Sequence, residues 1–312
     1  MTEHFVTIFD SAYLLQGLAL HRSMQRNIPS FRLWVVCVDH DAWRMLGDLQ
    51  LPGVTALAVA DLETAELRAV KGARSRGEYC WTLTPFAPRF VFDADPTVER
   101  VTYVDADLWF RRSPAPVFRE FEASGKQVLI TDHAFAPEYD QSAIAGQYCV
   151  QFMTFNRDAG EPVRKWWEER CIEWCYARLE DGKFGDQKYL DHWPEMFPDQ
   201  VHVLADKSLL LAPWNASTIP YGHSVAFHFH GLKVYRGYKV LKRGANYKVP
   251  RVVDEQIYDR YLLDLAEGAK ALARHGHTPR LPAVRYADLW LDRLRQLASG
   301  VLSVRSALVT LR

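Results

Sequence analysis

Asp105-Ala106-Asp107 falls where one apolar run, residues 101–104, ends and a second, residues 108–110, begins. Carboxylates at i and i+2 on extended backbone point to the same side, about 6.5 Å apart along a strand. Both can then converge on one divalent cation, a hard ion that takes oxygen ligands and is often shared with substrate phosphates. The chemistry this spacing predicts is a metal-assisted grip on a diphosphate.

Two other D-x-D triplets act as internal controls, Asp39-His40-Asp41 and Asp93-Ala94-Asp95. The second runs into Pro96 and reads as a polar turn. The first also ends a strand, but Asp41 precedes Ala-Trp-Arg-Met-Leu and reads as a helix N-cap. Only the Asp105 pair lies between two apolar runs.

The elements that must hold this pair follow from hydrophobic periodicity. Residues 5–9, 33–38 and 54–58 read as strands, and residues 13–25 and 42–48 as helices between them, the rhythm of a parallel sheet. A helix is expected over 62–71 and another over 86–92, leading into the strand at 101–104. Later strands are expected at 127–131 and 152–155. A long helix is expected over 161–179, with Trp166, Trp167, Trp174 and Tyr176 packed in the core. No internal repeat is visible. Residues 1–250 read as one doubly wound catalytic domain. Residues 251–312 read as a helical extension, with helices over 254–274 and 286–311 separated by His275-Gly-His-Thr-Pro279.

Composition excludes several classes. The 312 residues are 48% hydrophobic, and 38 Lys plus Arg balance 38 Asp plus Glu. That supports a substantial core and gives no field or basic stripe for nucleic acid. The five cysteines contain no C-x-x-C and mostly sit in apolar segments, as reduced core thiols do. Cys171 and Cys175, at i and i+4, lack the partner pair a structural zinc site needs. With neither a signal-like start nor a long apolar run, the expected location is the cytoplasm.

Four segments, in order, resemble nucleotide-sugar glycosyltransferases of the GT-A fold, and within them the family 8 retaining enzymes (glycogenin-like and lipooligosaccharide-galactosyltransferase-like). The similarity spans residues 5–233. Ile8-Phe9-Asp10-Ser11-Ala12-Tyr13-Leu14 resembles the opening in which an Asp and a nearby Tyr hold the uridine. Thr102-Tyr103-Val104-Asp105-Ala106-Asp107-Leu108 resembles the metal motif. Phe184-Gly185-Asp186-Gln187-Lys188-Tyr189-Leu190 resembles the Asp-Gln segment beside the transferred sugar. His228-Phe229-His230-Gly231-Leu232-Lys233 resembles the closing H-x-x-G-x-x-K, in which His completes the metal shell and Lys touches the diphosphate.

The residue chemistry stands beside this resemblance. Asp10 suits either a ribose or base contact or the N-cap of the next helix. His228 and His230 alternate, so on a strand both imidazoles face one side, either as a buried pair or as ligands. Gly231 permits close backbone approach, and Lys233 is a point charge suited to phosphate. Imidazole beside two carboxylates favours Mn²⁺ over Mg²⁺. The family spacing makes His228 the ligand, with His230 the fallback if the register slips. Asp186-Gln187 suits a sugar pocket or a helix cap.

The chain also departs from the pattern. Lys233 comes one residue early, and Cys149-Val150-Gln151 replaces the usual Asn-Ala-Gly, which implies a changed sugar pocket. Arg89 could match a donor-binding Arg, and Trp214-Asn215 resembles a pocket wall, though a core Trp has the same signature.

The resemblance implies a hexosyltransferase-like enzyme. It would move a sugar from a nucleotide diphosphate, UDP being expected, to a saccharide or lipid-linked hydroxyl, with retention, as in surface polysaccharide or lipopolysaccharide synthesis. Asp105, Asp107 and His228 would hold the metal, Asp10, Tyr13, Arg89, Gly231 and Lys233 the donor, and Asp186 and Gln187 the sugar. Two alternatives remain open. A sugar-1-phosphate nucleotidyltransferase normally needs a Gly-rich basic loop after the first strand, absent from Ile8-Phe-Asp-Ser-Ala-Tyr; a silent nucleotide-sugar-binding module would not need intact acids. Residues 290–312, with four Arg against one Asp and interspersed Leu and Val, read either as a helix on the inner face of an anionic membrane or as one packed on the domain or in a homodimer.

Overall fold

The computed structural model describes residues 2–243, 247–284 and 309–311. Strand β1 (Glu3–Phe9), helix α1 (Leu14–Asn27), β2 (Phe31–Cys37), α2 (His40–Leu49) and β3 (Val54–Ala58) form the expected parallel start. Side chains alternate across β1: Phe5 and Phe9 enter one core, Val6 and Ile8 another, so the strand is buried on both faces. Helix α1 lies so close to β1 that a methyl group on Gly17 would come within 2.4 Å of the Phe9 ring. Only glycine permits that approach.

The expected helix over 62–71 is broken into α3 (Val59–Leu62) and α4 (Ala65–Lys71), because Thr64 is extended and its hydroxyl caps α4 at the Leu67 amide. Then comes α5 (Arg76–Leu83), which the apolar pattern did not signal. It begins at a reciprocal capping box between Ser75 and Glu78, the S/T-x-x-E signature of a helix start. A short 3-10 turn carries the chain into α6 (Ala87–Ala94).

Strand β4 (Arg100–Val104) joins β1 on the side opposite β2, so strand order reverses between β1 and β4. Ligands of open α/β sheets bind at such a switch point, beyond the carboxyl ends of the strands. After β5 (Leu108–Phe110) and α7 (Ala115–Ser124) come β6 (Val128–Asp132), α8 (Ser142–Ala145) and β7 (Tyr148–Asn156), with β7 antiparallel to both β4 and β6. Helix α9 (Glu161–Glu173) stops six residues before the expected 179. Trp174 turns extended there, and Trp174 and Cys175 fold back into the interior. Trp167 is buried as expected, while Trp166 and Tyr176 are partly exposed.

Helix α10 (Trp193–Met196) leads to β8 (Val201–Val203), completing a mostly parallel sheet of order β3-β2-β1-β4-β7-β6-β8. A second sheet joins β5, β9 (Leu210–Leu211) and β10 (Ala226–His228), with β10 central. Strands β11 (Lys233–Tyr235) and β12 (Lys239–Leu241) pair antiparallel.

Helix α11 (Arg251–Val253), a π-helical turn (Asp254–Tyr258) and α12 (Asp259–Arg274) follow, and the buried Tyr258, Tyr261 and Leu265 join the core under α1. Asp264 of α12 ties this segment down, pairing with Arg22 and Arg26 of α1 and accepting from the Trp109 indole at 2.7 Å. The break at 275–279 is as expected. Residues 286–308 of the helix expected over 286–311 lie outside the described residues, and Val309–Thr310 forms a strand, β13, paired with β12 rather than a helical turn. All five cysteines are free thiols. Among the described residues, no helix is long and apolar enough to cross a membrane.

Candidate metal and nucleotide site

Asp105 and Asp107 occupy the turn that links β4 to β5, not extended strand as expected. The Leu108 amide bonds back to the Asp105 carbonyl at 3.0 Å. The turn, rather than strand alternation, brings the two side chains together. The Asp105 amide bonds to the Gln151 carbonyl on β7, and the Tyr103 hydroxyl donates to Asp105 Oδ1 at 2.9 Å.

Strand β10 pairs antiparallel with β5, placing His228 opposite Leu108, and the Phe229 amide bonds to the Asp107 carbonyl at 3.0 Å. His228 Nε2 thereby lies 3.1 Å from Asp107 Oδ1 and 3.5 Å from Asp105 Oδ2. Among the described residues these three form a group whose ligand atoms all lie within 4.8 Å of one another. Two carboxylates and an imidazole at that separation fit a single divalent ion at ~2.0–2.4 Å.

The electrostatics agree with a cation site. Burial pushes the Asp105 carboxyl up, opposed by the His228 charge, and the net shift is upward. Asp107 feels the same burial, yet its bond to His228 brings it below the usual carboxylate range. For His228, burial disfavours the charge, but Asp107 and Asp105 hold the imidazole pKa well above its ordinary value.

His230 is exposed at its outer side, its ring centroid 5.9 Å from that of His228, and the protein packed around it together with the His228 charge lowers its pKa to about 4. Trp214 is not an open pocket wall; it is 3% exposed, edge-on to the His228 ring at 5.3 Å, with its indole donating to the His133 carbonyl. Gly231 has φ +79, the left-handed region, and turns the chain from β10 into β11, where Lys233 is exposed.

Asp10 lies just past β1. Its Oδ1 accepts from the Ala12 and Tyr13 amides, and its Oδ2 is 3.0 Å from Arg76. Capping and ion pairing thus occupy the carboxylate. Tyr13 is 45% exposed, and the crowding of its hydroxyl, with the charges of Asp107, Asp10 and Asp105, pushes the phenol upward. Asp39, not Asp41, caps α2. It also accepts from the Ser11 hydroxyl at 2.8 Å and lies 3.5 Å from Arg76, and it is not part of the Asp105, Asp107 and His228 group. Asp93 and Ala94 end α6, and Asp95 holds a turn with Thr97.

Asp186 is 3% exposed; its carbonyl accepts from the Trp167 indole at 2.8 Å, and Oδ2 has no protein partner. Burial, against the Thr84 hydroxyl bond and with the Asp105 charge, pushes its carboxyl up to about 8. Gln187 is half-buried at the head of the following 3-10 helix. Gln151 is fully buried with neither amide atom paired. Arg89 faces α9, 3.0 Å from Glu168 and 3.9 Å from Asp93. The sequence reading did not single out Arg76, beside Asp10 and Asp39, or Thr84, beside Asp186; the Ser75-to-Glu78 capping box could have marked the helix that carries Arg76.

No family model matches the chain. It is 33% identical over 222 residues to the Bacillus subtilis (strain 168) protein named only as uncharacterized protein YfnF, covering 69% of this chain and 73% of that one. The chain belongs to the YfnF family. Uncharacterized protein YfnD of the same organism is 29% identical over 249 residues, covering 74% of this chain and 78% of YfnD. In architecture the chain is similar to the galactosyltransferase LgtC in complex with donor and acceptor sugar analogs (TM-score 0.51, 14% identity, 85% of this chain and 95% of LgtC). It is also similar to the bifunctional glycosyltransferase WbbM (TM-score 0.51, 12% identity, 88% of this chain and 51% of WbbM). This YfnF-family chain has the GT-A α/β fold, a mixed, mostly parallel sheet flanked by helices.

Proposed function

We propose that the protein is a metal-dependent glycosyltransferase, of the family 8 kind, that moves a sugar from a nucleotide diphosphate, UDP by preference, to an acceptor hydroxyl. The convergence of Asp105, Asp107 and His228 at the switch point of a GT-A sheet carries this reading. A divalent ion there, Mn²⁺ on the chemistry of the donor set, supplies charge for the departing diphosphate.

The chain's own residues do the rest. Tyr103 and the Gln151 carbonyl fix Asp105, and Trp214 fixes the His228 ring, so the ligands are pre-oriented. Tyr13 offers an exposed aromatic face beside Asp10 for the nucleoside. Lys233, on the exposed start of β11, adds positive charge for the diphosphate. Asp186 and Gln187 orient the sugar, and the Asp186 carboxyl, pushed up to about 8, is a hydrogen-bond donor as well as an acceptor near neutral pH. Transfer with retention, and an acceptor that is a saccharide or lipid-linked saccharide, are part of the reading.

A panel of nucleotide sugars incubated with and without Mn²⁺ tests it. Release of free nucleotide from one donor, dependent on metal and abolished in Asp105→Asn, is expected. Full turnover by Asp105→Asn would remove the metal assignment.

A further inference from the structure

Gln151 of β7 carries a polar side chain for which the metal group has no use. It is 0% exposed, and among the described residues it is the one side-chain amide whose nitrogen and oxygen are both buried and unpaired. Buried polar groups of native proteins are almost always hydrogen-bonded, so this exception calls for a partner from outside the chain.

Its place in the fold limits what that partner is. Strand β7 runs antiparallel to β4 with Phe152 opposite Val104, and the Asp105 amide bonds to the Gln151 carbonyl at 3.2 Å. That bond carries the register one step further, so Gln151 stands opposite Asp105. Residues paired in this way share a face of the sheet, with Cβ atoms about 4.5–5.5 Å apart. Asp186 borders the same ground: the Asp105 charge acts on its carboxyl, and its Oδ2 is a further buried oxygen with no protein partner. A diphosphate held at Asp105 and Asp107 brings the sugar bonded to it within about one side-chain length of the amide.

The backbone carbonyl of Gln151 fixes the Asp105 turn whatever side chain the residue bears. The related pattern has glycine at this position, so the amide is an addition particular to this chain. A cation would use the amide oxygen and leave the nitrogen unpaired. A sugar hydroxyl both donates and accepts, as the amide does, and satisfies both atoms.

We propose that the Gln151 amide, beside Asp186, reads a hydroxyl of the transferred sugar and so sets which sugar this chain accepts. This rests on the nucleotide-sugar reading above and adds a specificity residue that the resemblance does not supply. Cover keeps water off the amide, so a sugar lacking that hydroxyl leaves it unpaired and is rejected.

The test is titration calorimetry of the full chain with Mn²⁺, for wild type, Gln151→Met and Gln151→Gly. The probes are UDP and, separately, UDP-glucose, UDP-galactose and UDP-N-acetylglucosamine. Both variants keep the backbone carbonyl that fixes Asp105, and melting curves check that they fold. The sugar nucleotide that wild type binds most tightly should weaken about tenfold in both variants, while UDP stays within about twofold. Equal weakening of UDP and the sugar nucleotide would mean that residue 151 acts through the metal or the diphosphate, and would overturn the assignment alone. Unchanged binding of the sugar nucleotide in either variant would also overturn it, as would a wild type that binds UDP but none of the three sugar nucleotides. If wild type binds no UDP either, the nucleotide-sugar reading fails and this inference falls with it.

Discussion

His228 Nε2 stands 3.1 Å from Asp107 Oδ1 across the antiparallel pairing of β10 with β5. With the Phe229 amide bond to the Asp107 carbonyl, it ties the turn between β4 and β5 to the central strand of the second sheet.

The first prediction concerns which histidine is the ligand. His228→Ala should lower Mn²⁺ affinity by at least about 100-fold, since loss of even an outer-shell partner costs roughly 10–100-fold. His230→Ala should leave it nearly unchanged. Because the Asp107 and Asp105 charges hold His228 protonated well above the usual range, Mn²⁺ binding should release a proton and weaken as pH falls. Electron paramagnetic resonance of free Mn²⁺ at two pH values measures both effects; a large loss in the His230 variant would exchange the roles.

Asp186 predicts a pH dependence of stability. Its folded pKa, pushed up to about 8 by burial, lies above the ~3.9 of an unfolded Asp. Between these values the folded state holds a proton that the unfolded chain has lost. The contribution of this group is complete below about pH 4 and is lost as pH rises through about 8. Asp186→Asn should flatten that decline and stabilise the protein at pH 8 by ~1–3 kcal/mol, while sugar transfer falls. Urea melts of both proteins at pH 5 and pH 8 decide it; parallel pH profiles would contradict the buried, protonated carboxyl.

Gln151 predicts a trade between stability and activity. A fully buried amide with both atoms unpaired costs free energy that an apolar side chain of similar size does not. Gln151→Met should raise stability by ~1–2 kcal/mol. Donor turnover should fall, as when a polar group is retained at a functional site. Destabilisation by this variant would show that the amide is satisfied in solution.

Asp264 anchors α12. Replacing it with Ala strands the Trp109 indole and removes the partner of Arg22 and Arg26, whose side chains are 40% and 46% exposed. That exposure reduces the ~3–5 kcal/mol typical of a broken buried pair, leaving an expected loss of about 2–3 kcal/mol. A loss below about 0.5 kcal/mol in denaturant titration would contradict an anchoring role.

Much of the fold is legible in the sequence because β1 to β3 and their helices obey clean periods, and burial of both sheet faces leaves uninterrupted apolar runs such as Leu33 to Cys37. The grouping of Asp105, Asp107 and His228 is legible for a different reason: each sits at a strand end beside strongly apolar neighbours. What is not legible depends on contacts distant in sequence. Helix α5 is short and only weakly amphipathic, so its start shows in the Ser75 cap and not in periodicity. Asp41 reads as the cap of α2 from sequence, and that Asp39 takes this place and also meets Ser11 and Arg76, from two other segments, shows only in the fold. Arg89 matches a motif by position, but Glu168, 79 residues later, holds its guanidinium. Trp174 carries helical spacing, yet its burial depends on the chain leaving the helix at Glu173.

The most direct test of the central claim is calorimetric titration of UDP into the full-length protein with and without Mn²⁺. Binding that requires Mn²⁺ and disappears in Asp105→Asn is the predicted result. UDP binding of equal strength with and without the ion, or its persistence in Asp105→Asn, would contradict a metal-held diphosphate at Asp105, Asp107 and His228.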